Sequence, residues 1–437
     1  MNNSLSKHIR RMTLFLALTT IAAATYHKSY AAIKENEKTI QDDVIVNLPF
    51  ITDSLCIIKD SAHSLNGFYE NLRLLLAGKD TIINIIHIGD SHIQAGFLTG
   101  RTMRLLQNTF GNAGRGWISP LRLSGTNEPN DYFITSGIKH FISSVCIQKE
   151  PKCTWGLGGI GIEALDAEID LGVLVAPNNG VGYDFNKALL FRDKYSKQLF
   201  PKPDIDCFQG ETQFEDILID TFISNNLINS LQIKSFETDT FLDPSIYYGF
   251  LLTNGHAGIL YHALGINGAR YVDFTNRKYI RQLSLLNPTL IIVSLGTNES
   301  FGKNFSMPEF ERQIDSFVNL VHEELPNTSI ILTTPPETFK RLRSKQKRYY
   351  VRNENTKKAA ETISSYTAIN GLACWDLYAV SGGSNSCNNW FEAGMFARDR
   401  IHFTQKGYDE QGKLLYKSLI NSFNKVQELR EEEQDAE

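Results

Sequence analysis

The sequence predicts an α/β fold built on a parallel sheet, with a β-rich segment inserted in its middle. Three observations carry this. Short β-branched apolar runs at 81–88, 289–295 and 328–333 have the length and composition of strands buried on both faces. Stretches with helical spacing of apolar residues alternate with them, as parallel strands with crossover helices require. Between 121 and 254 that rhythm stops, and short alternating stretches punctuated by Gly, Pro, Asn and Asp replace it.

The segments follow in order. Lys7, Arg10 and Arg11 precede an apolar run at 12–24 that ends in small residues. This is the pattern of a secretory signal peptide over 1–31, and the run is short for a membrane span. It predicts an exported chain, periplasmic or extracellular, with no membrane span after cleavage. The first α/β part covers 32–120. Helical spacing at 65–77 is stopped by Gly78, the strand at 81–88 follows, Gly89-Asp90-Ser91 turns, and 93–110 is helical again. The segment 121–254 is expected to be a β-sandwich, with alternating stretches at 131–135, 140–147, 214–219, 230–236 and 246–252. The second α/β part covers 255–425. Its strand at 289–295 lies between Pro288 and Gly296, and the strand at 328–333 is closed by Pro335 and Pro336. Helices are expected at 307–324 and 352–369, with a weaker strand at 371–377. An acidic tail, 426–437, is a solvated helix end or a disordered terminus.

A chain of 437 residues is long enough for two domains. Its 44 basic and 48 acidic residues give a net charge of -4. That balance offers no electrostatic footprint for nucleic acid, and it argues against a polyanionic substrate held mainly by charge. Of the six cysteines, Cys146 with Cys153 and Cys374 with Cys387 are near enough in sequence to pair after export. The connectivity stays open. No cysteine or histidine spacing matches a zinc site.

Four segments carry chemistry. Gly89-Asp90-Ser91-His92 lies between a buried strand and a helix. A serine there sits at a helix N-terminus, where its own N–H has no helical partner and is free to hold an oxyanion. The plainer role of Asp90 and Ser91 is to cap the helix. Asp399-Arg400-Ile401-His402 places a base and a carboxylate three residues apart on one turn. Serine is a weak nucleophile and needs such a base, which a carboxylate orients. Gly296-Thr297-Asn298-Glu299 follows a strand directly, and an Asn amide there is able to donate to a developing oxyanion. Gly265-Ile266-Asn267-Gly268 follows an apolar run, and the bare backbone N–H of Gly265 is a candidate second donor.

In this order the four segments resemble the blocks of the SGNH (GDSL-like) hydrolases. Gly89-Asp90-Ser91 resembles the first block, Gly265 the glycine of the second, Gly296-x-Asn298 the third and Asp399-x-x-His402 the fifth. The Asn often found two residues before the second-block glycine is Ala263 here, which leaves Gly268 as the alternative. The resemblance implies a flavodoxin-like three-layer α/β/α domain. It implies Ser91 as nucleophile, His402 as general base and Asp399 as its orienting partner. Ser91, Gly265 and Asn298 would supply the oxyanion donors, and neither metal nor organic cofactor is needed. The runs 89–95 and 106–116, with the tryptophans Trp375 and Trp390, look like the peptidoglycan O-acetylesterase branch, whose members carry a carbohydrate-binding-like β-domain inserted in the hydrolase. The implied partner is an acetylated glycan, with Asp90, His92 and Trp390 as candidate substrate contacts. The alternatives are an O-acetyltransferase, an esterase acting on another acetylated polysaccharide such as xylan, and a non-catalytic glycan-binding protein. His87 reads as a core histidine, His262 as a core histidine or a residue lining the cleft with packing favoured, and Trp155 as either a sugar-stacking ring or a buried one.

Overall fold

The computed structural model describes residues 48–176, 181–202, 207–236, 244–344 and 347–436. The segment 1–31, expected to be a signal peptide, lies outside them. Among the described residues no helix is long and apolar enough to cross a membrane.

Five strands form one sheet: β1 (Ile82–Gly89), β2 (Gly258–Gly265), β3 (Leu290–Ser294), β4 (Ser329–Thr333) and β5 (Ala373–Trp375). Their order is β2-β1-β3-β4-β5 and every pairing is parallel, which is the flavodoxin-like arrangement. The labelled helices are α1 (Asn66–Leu76), α2 (Ser91–Gln94), α3 (Phe97–Phe110), α4 (Met307–Glu324), α5 (Glu354–Ile369) and α6 (Gln405–Ala436). The expected acidic tail continues α6.

The alternation of β1 sorts the layers. Ile83 and Ile85 pack with Phe68, Leu72, Leu106 and Phe423 of α1, α3 and α6. Ile86 and Ile88 pack on the other side with Ile314, Phe317 and Ile363 of α4 and α5. Each fully buried isoleucine contributes about 1.5–3 kcal/mol. A one-residue slip of β1 would turn the strand over. Two histidines buried in this core have partners for both ring nitrogens. His87 bridges Tyr261 Oη and Ser294 Oγ, both at 2.7 Å. His262 Nδ1 accepts the Trp117 N–H at 3.1 Å, so its Nε2–H faces Asn84 Oδ1 at 3.2 Å. Burial holds both rings neutral, with pKa values lowered to about 3.

Between α3 and β2 the chain builds two antiparallel sheets. The larger runs in the order Phe141–Val145, Ile160–Ala164, Ser245–Thr253, Phe185–Asp193, Ile217–Ile228 and Cys207–Phe214, with Gly116–Ile118 added to Ser245–Thr253. The smaller holds Tyr132–Ser136, Asp170–Val175, Ser230–Lys234 and Phe200–Pro201. Ile134, Val173, Leu231 and Ile233 of the smaller sheet share one core with Leu190, Phe222 and Phe250 of the larger, so the two sheets pack as a sandwich. Trp155 stays at the seam, with its ring centroid 5.6 Å from that of Tyr279. Cys146, Cys153, Cys374 and Cys387 are buried thiols, and neither nearby pair is joined.

The chain passes from β1 to an edge neighbour, β2, and then crosses to β3 on the other side. Such a reversal opens a crevice at the carboxyl ends of the strands. Helix α2 rests there on Gly265, where an added Cβ would lie 2.2 Å from Gln94 N. The substitution Gly265→Ala is therefore expected to lower stability by about 1–3 kcal/mol through overpacking. Gly67→Ala, at an exposed position of α1 with nothing within 4 Å, is expected to leave the melting temperature unchanged or raise it slightly. Thermal unfolding of the two variants against the parent checks this contrast.

Candidate active site

Ser91 is the first residue of α2. Two local features put it there. Gly89 ends β1 where a Cβ would come within 2.3 Å of Ile93 Cγ1, so only glycine lets the helix fold back on the strand. Asp90 is the N-cap, and its Oδ1 accepts the His92 N–H at 2.9 Å.

The turn before α6 brings the other groups to this serine. Asp399 Oδ1 accepts the Ile401 and His402 N–H groups at 2.9 and 3.0 Å. Asp399 Oδ2 lies 2.7 Å from His402 Nδ1, and His402 Nε2 lies 2.9 Å from Ser91 Oγ. Arg400 holds the turn in a left-handed conformation, φ +61°. Its neighbours offset that strain: the guanidinium stacks 3.6 Å from the Phe391 ring centroid, and its carbonyl accepts the Phe339 N–H at 2.9 Å.

Charge follows the same geometry. Partial burial raises the Asp399 carboxyl, but the hydrogen bonds from the His402 ring and two backbone N–H groups outweigh it and hold the pKa at about 2. The bond to Asp399 raises His402 above the ordinary histidine value. An ionised Asp399 also fixes the tautomer, with Nδ1 protonated and Nε2 free to accept from Ser91.

A cleft of about 660 Å³ opens over this chain, lined by Ser91, His402, Thr297, Asn298, Gly268, Asn127, Asn267, Phe301, Ile401 and Tyr408. Asn298 is at the cleft, with Nδ2 donating to Asp90 Oδ2 and Ala269 O, each at 3.0 Å. Gly265 is not among the lining residues; it serves the close approach of α2. Gly268, in the left-handed region at φ +82°, takes its place in the wall.

Three expected substrate contacts are corrected. Asp90 is 1% exposed and holds the α2 N-terminus and Asn298 instead. His92 is buried beneath His402, ring centroids 5.4 Å apart, with Nδ1 2.9 Å from Tyr408 Oη. Trp390 is fully buried, donates Nε1–H to Ser381 O at 2.9 Å and meets Phe403 edge-on. In each case the neighbouring elements need the side chain for packing more than the cleft does.

Sequence reasoning passed over Asn127, Phe301 and Tyr408. The wall around Asn127 is one polar network: Gln94 Nε2 donates to Thr126 Oγ1 and Asn127 Oδ1 at 2.8 Å, and Asn267 Nδ2 donates to the same two acceptors at 3.0 and 2.9 Å. Its only sequence signal was the polar run Gly125-Thr126-Asn127, which reads as a turn. Among the described residues no group of three or more His, Cys, Asp or Glu side chains is placed to hold a metal ion.

Glu299 organises the third block. Its Oε1 accepts the Tyr271 N–H at 2.8 Å and its Oε2 the Gly296 N–H at 3.0 Å. Burial raises its pKa to about 7. A raised carboxyl favours the folded state when protonated, so its contribution is fully present below pH 4.5 and is lost as pH rises toward 7. Glu299→Gln removes that titration while misplacing one amide hydrogen bond. Its melting-temperature deficit against the parent should be largest near pH 4.5 and shrink toward pH 7, read by calorimetry across that range.

The chain is similar to known proteins. The model of the GDSL-like lipase/acylhydrolase family matches residues 247–410, a span that holds Gly268, Asn298, Asp399 and His402. No curated protein matches in sequence. Among solved structures the chain is similar to a peptidoglycan O-acetylesterase, at 20% identity and a TM-score of 0.68, over 84% of this chain and 99% of that one. It is less similar to a Bacillus subtilis protein (10% identity, TM-score 0.32, 67% and 90% covered) and to an acetyl esterase mutant with acetate ion (16%, 0.29, 39% and 75%). The family match bears out the SGNH resemblance, and the first of these structures bears out the fold.

Proposed function

We propose that this chain, an esterase of the SGNH type, removes O-acetyl groups from a glycan, with peptidoglycan the favoured substrate. The observation that carries the reading is the unbroken hydrogen-bond chain Ser91–His402–Asp399 at the floor of an open cleft. The polar walls around Asn127 and Asn267 suit sugar hydroxyls. The similarity to a peptidoglycan O-acetylesterase extends over the inserted sandwich as well as the hydrolase part, and supports the choice of glycan. Export by the segment 1–31 would bring the enzyme to that polymer.

The steps follow from the atoms in place. His402 Nε2 takes the Ser91 hydroxyl proton as Oγ attacks the ester carbonyl carbon. Negative charge moves to the carbonyl oxygen, which the free N–H groups of Ser91 and Gly268 stabilise. Asn298 joins them by sharing hydrogens it already gives to Asp90 and Ala269. The imidazolium, steadied by Asp399, returns its proton to the departing sugar oxygen. An acetyl-Ser91 ester remains. His402 then deprotonates a water, which attacks that ester, releases acetate and restores the serine hydroxyl.

Acetate release from O-acetylated peptidoglycan and from O-acetylated xylan tests the reading. Ser91→Ala should cut release from peptidoglycan by about 10⁶-fold. Release from xylan alone would overturn the substrate, and activity surviving in Ser91→Ala would overturn the mechanism. Asn298→Ala should lose about 10²–10³ in kcat. Because His402 must be neutral to accept a proton, kcat/KM should rise with pH and level off only above the ordinary histidine range. In Asp399→Asn that limb should shift to lower pH as the plateau falls.

A further inference from the structure

The balanced net charge of the chain conceals one local asymmetry. The segment 339–352 holds seven cationic residues and no acidic one, in a chain of net charge -4. It forms an antiparallel hairpin, Phe339–Arg343 paired with Arg348–Arg352, separate from the larger sheets.

The base of this hairpin is tied to the catalytic turn. Phe339 N–H donates to Arg400 O at 2.9 Å, and Tyr350 Oη donates to Arg398 O at 2.6 Å. Arg352 pairs with the buried Glu337 at 2.7 Å. Lys340 Nζ stands 5.7 Å from the ring centroid of Phe301, a residue of the cleft wall. The hairpin thus touches both the Asp399–His402 turn and Phe301 of the cleft wall.

Its arms are different. Arg341, Arg343, Lys347 and Arg348 are exposed, and among the described residues no carboxylate lies within ion-pair reach of any of them. Arg343 and Arg348 stand directly opposite each other in the ladder, a like-charge pairing that destabilises a hairpin. Tyr349 is 47% exposed beside them. Charge on an isolated hairpin also guards against edge-to-edge association, but that purpose does not require it to be placed at the mouth of the cleft.

We propose that the hairpin 339–352 is a cationic docking edge for a carboxylate-bearing glycan chain, which it holds alongside the catalytic cleft. The proposal rests on the glycan-esterase reading and narrows it to an anionic polymer. In peptidoglycan the carboxylates are those of the peptide stems. The arginines supply bidentate donors for them, and their field concentrates the polymer at the cleft mouth. This qualifies the expectation from composition, since a local field is independent of net charge.

The test uses the full chain with Arg341→Gln, Arg343→Gln and Arg348→Gln combined. On 4-nitrophenyl acetate, a small neutral ester, the triple variant should match the parent. On O-acetylated sacculi at low salt its KM should rise about tenfold with kcat unchanged, and high salt (about 0.5 M) should erase the difference. Sacculi whose carboxyls have been converted to amides should treat parent and variant alike. Equal kcat/KM for parent and variant on untreated sacculi at low salt would overturn the docking edge, as would a defect persisting at high salt. If the parent cleaves the small ester but frees no acetate from sacculi, the peptidoglycan reading fails instead. Co-sedimentation of the Ser91→Ala protein with sacculi, with and without the three substitutions, then decides the docking edge: equal pelleting overturns it, and salt-sensitive loss in the variant upholds it.

Discussion

Helix α2 rests on the carboxyl ends of β1 and β2 with no side chain between them, because Gly89 and Gly265 leave bare backbone at the two points of contact. This contact fixes Ser91. The helix is only one turn long and has no helical stability of its own. Its position comes from the strands beneath it and from the Asp90 cap. The distance from Ser91 Oγ to His402 depends on that seat, since His402 arrives on a separate turn with its own supports.

Around this contact the molecule uses buried carboxylates as brackets. Asp90 joins the α2 N-terminus to Asn298, and Glu299 joins Gly296 to Tyr271. Burial works against the ionised form of both and raises each pKa to about 7. Asp399 lies outside this pattern. It is half exposed, receives three hydrogen bonds and stays ionised. Two carboxylates hold shape and a third holds charge, and their environments decide which does which.

Much of this was legible in the sequence. Strands buried on both faces show themselves as β-branched runs, so β1, β3 and β4 could be read from local pattern, and the motifs at their ends with them. Ser91, Asp399 and His402 were singled out by the chemistry of their segments and by block order, and the structure brings them into one hydrogen-bond chain. What escaped was whatever depends on tertiary contact. A sequence shows that Asp90, His92 and Trp390 flank a motif, not that α2 and the turn before α6 bury them. It shows a glycine at 265 and another at 268, but only the crossing of α2 over β2 tells which one faces the cleft. The cationic hairpin was visible as composition, yet nothing local said that Arg400 and Phe301 are its neighbours.

The inserted sandwich has a consequence for the order in which the enzyme is made. Ser91 and His402 are 311 positions apart, and β1 pairs with strands that follow the insert. A chain emerging from its N-terminus first exposes β1, an apolar strand whose neighbours do not yet exist, and then a sandwich whose contacts are largely its own. Long-range parallel pairing is slow to form because loop closure precedes its reward. Ser91 is therefore among the first residues of the cleft to be synthesised and among the last to gain its hydrogen-bond partner. Until the turn before α6 arrives, Ser91 lacks His402, and the proposed proton transfer between them has no acceptor.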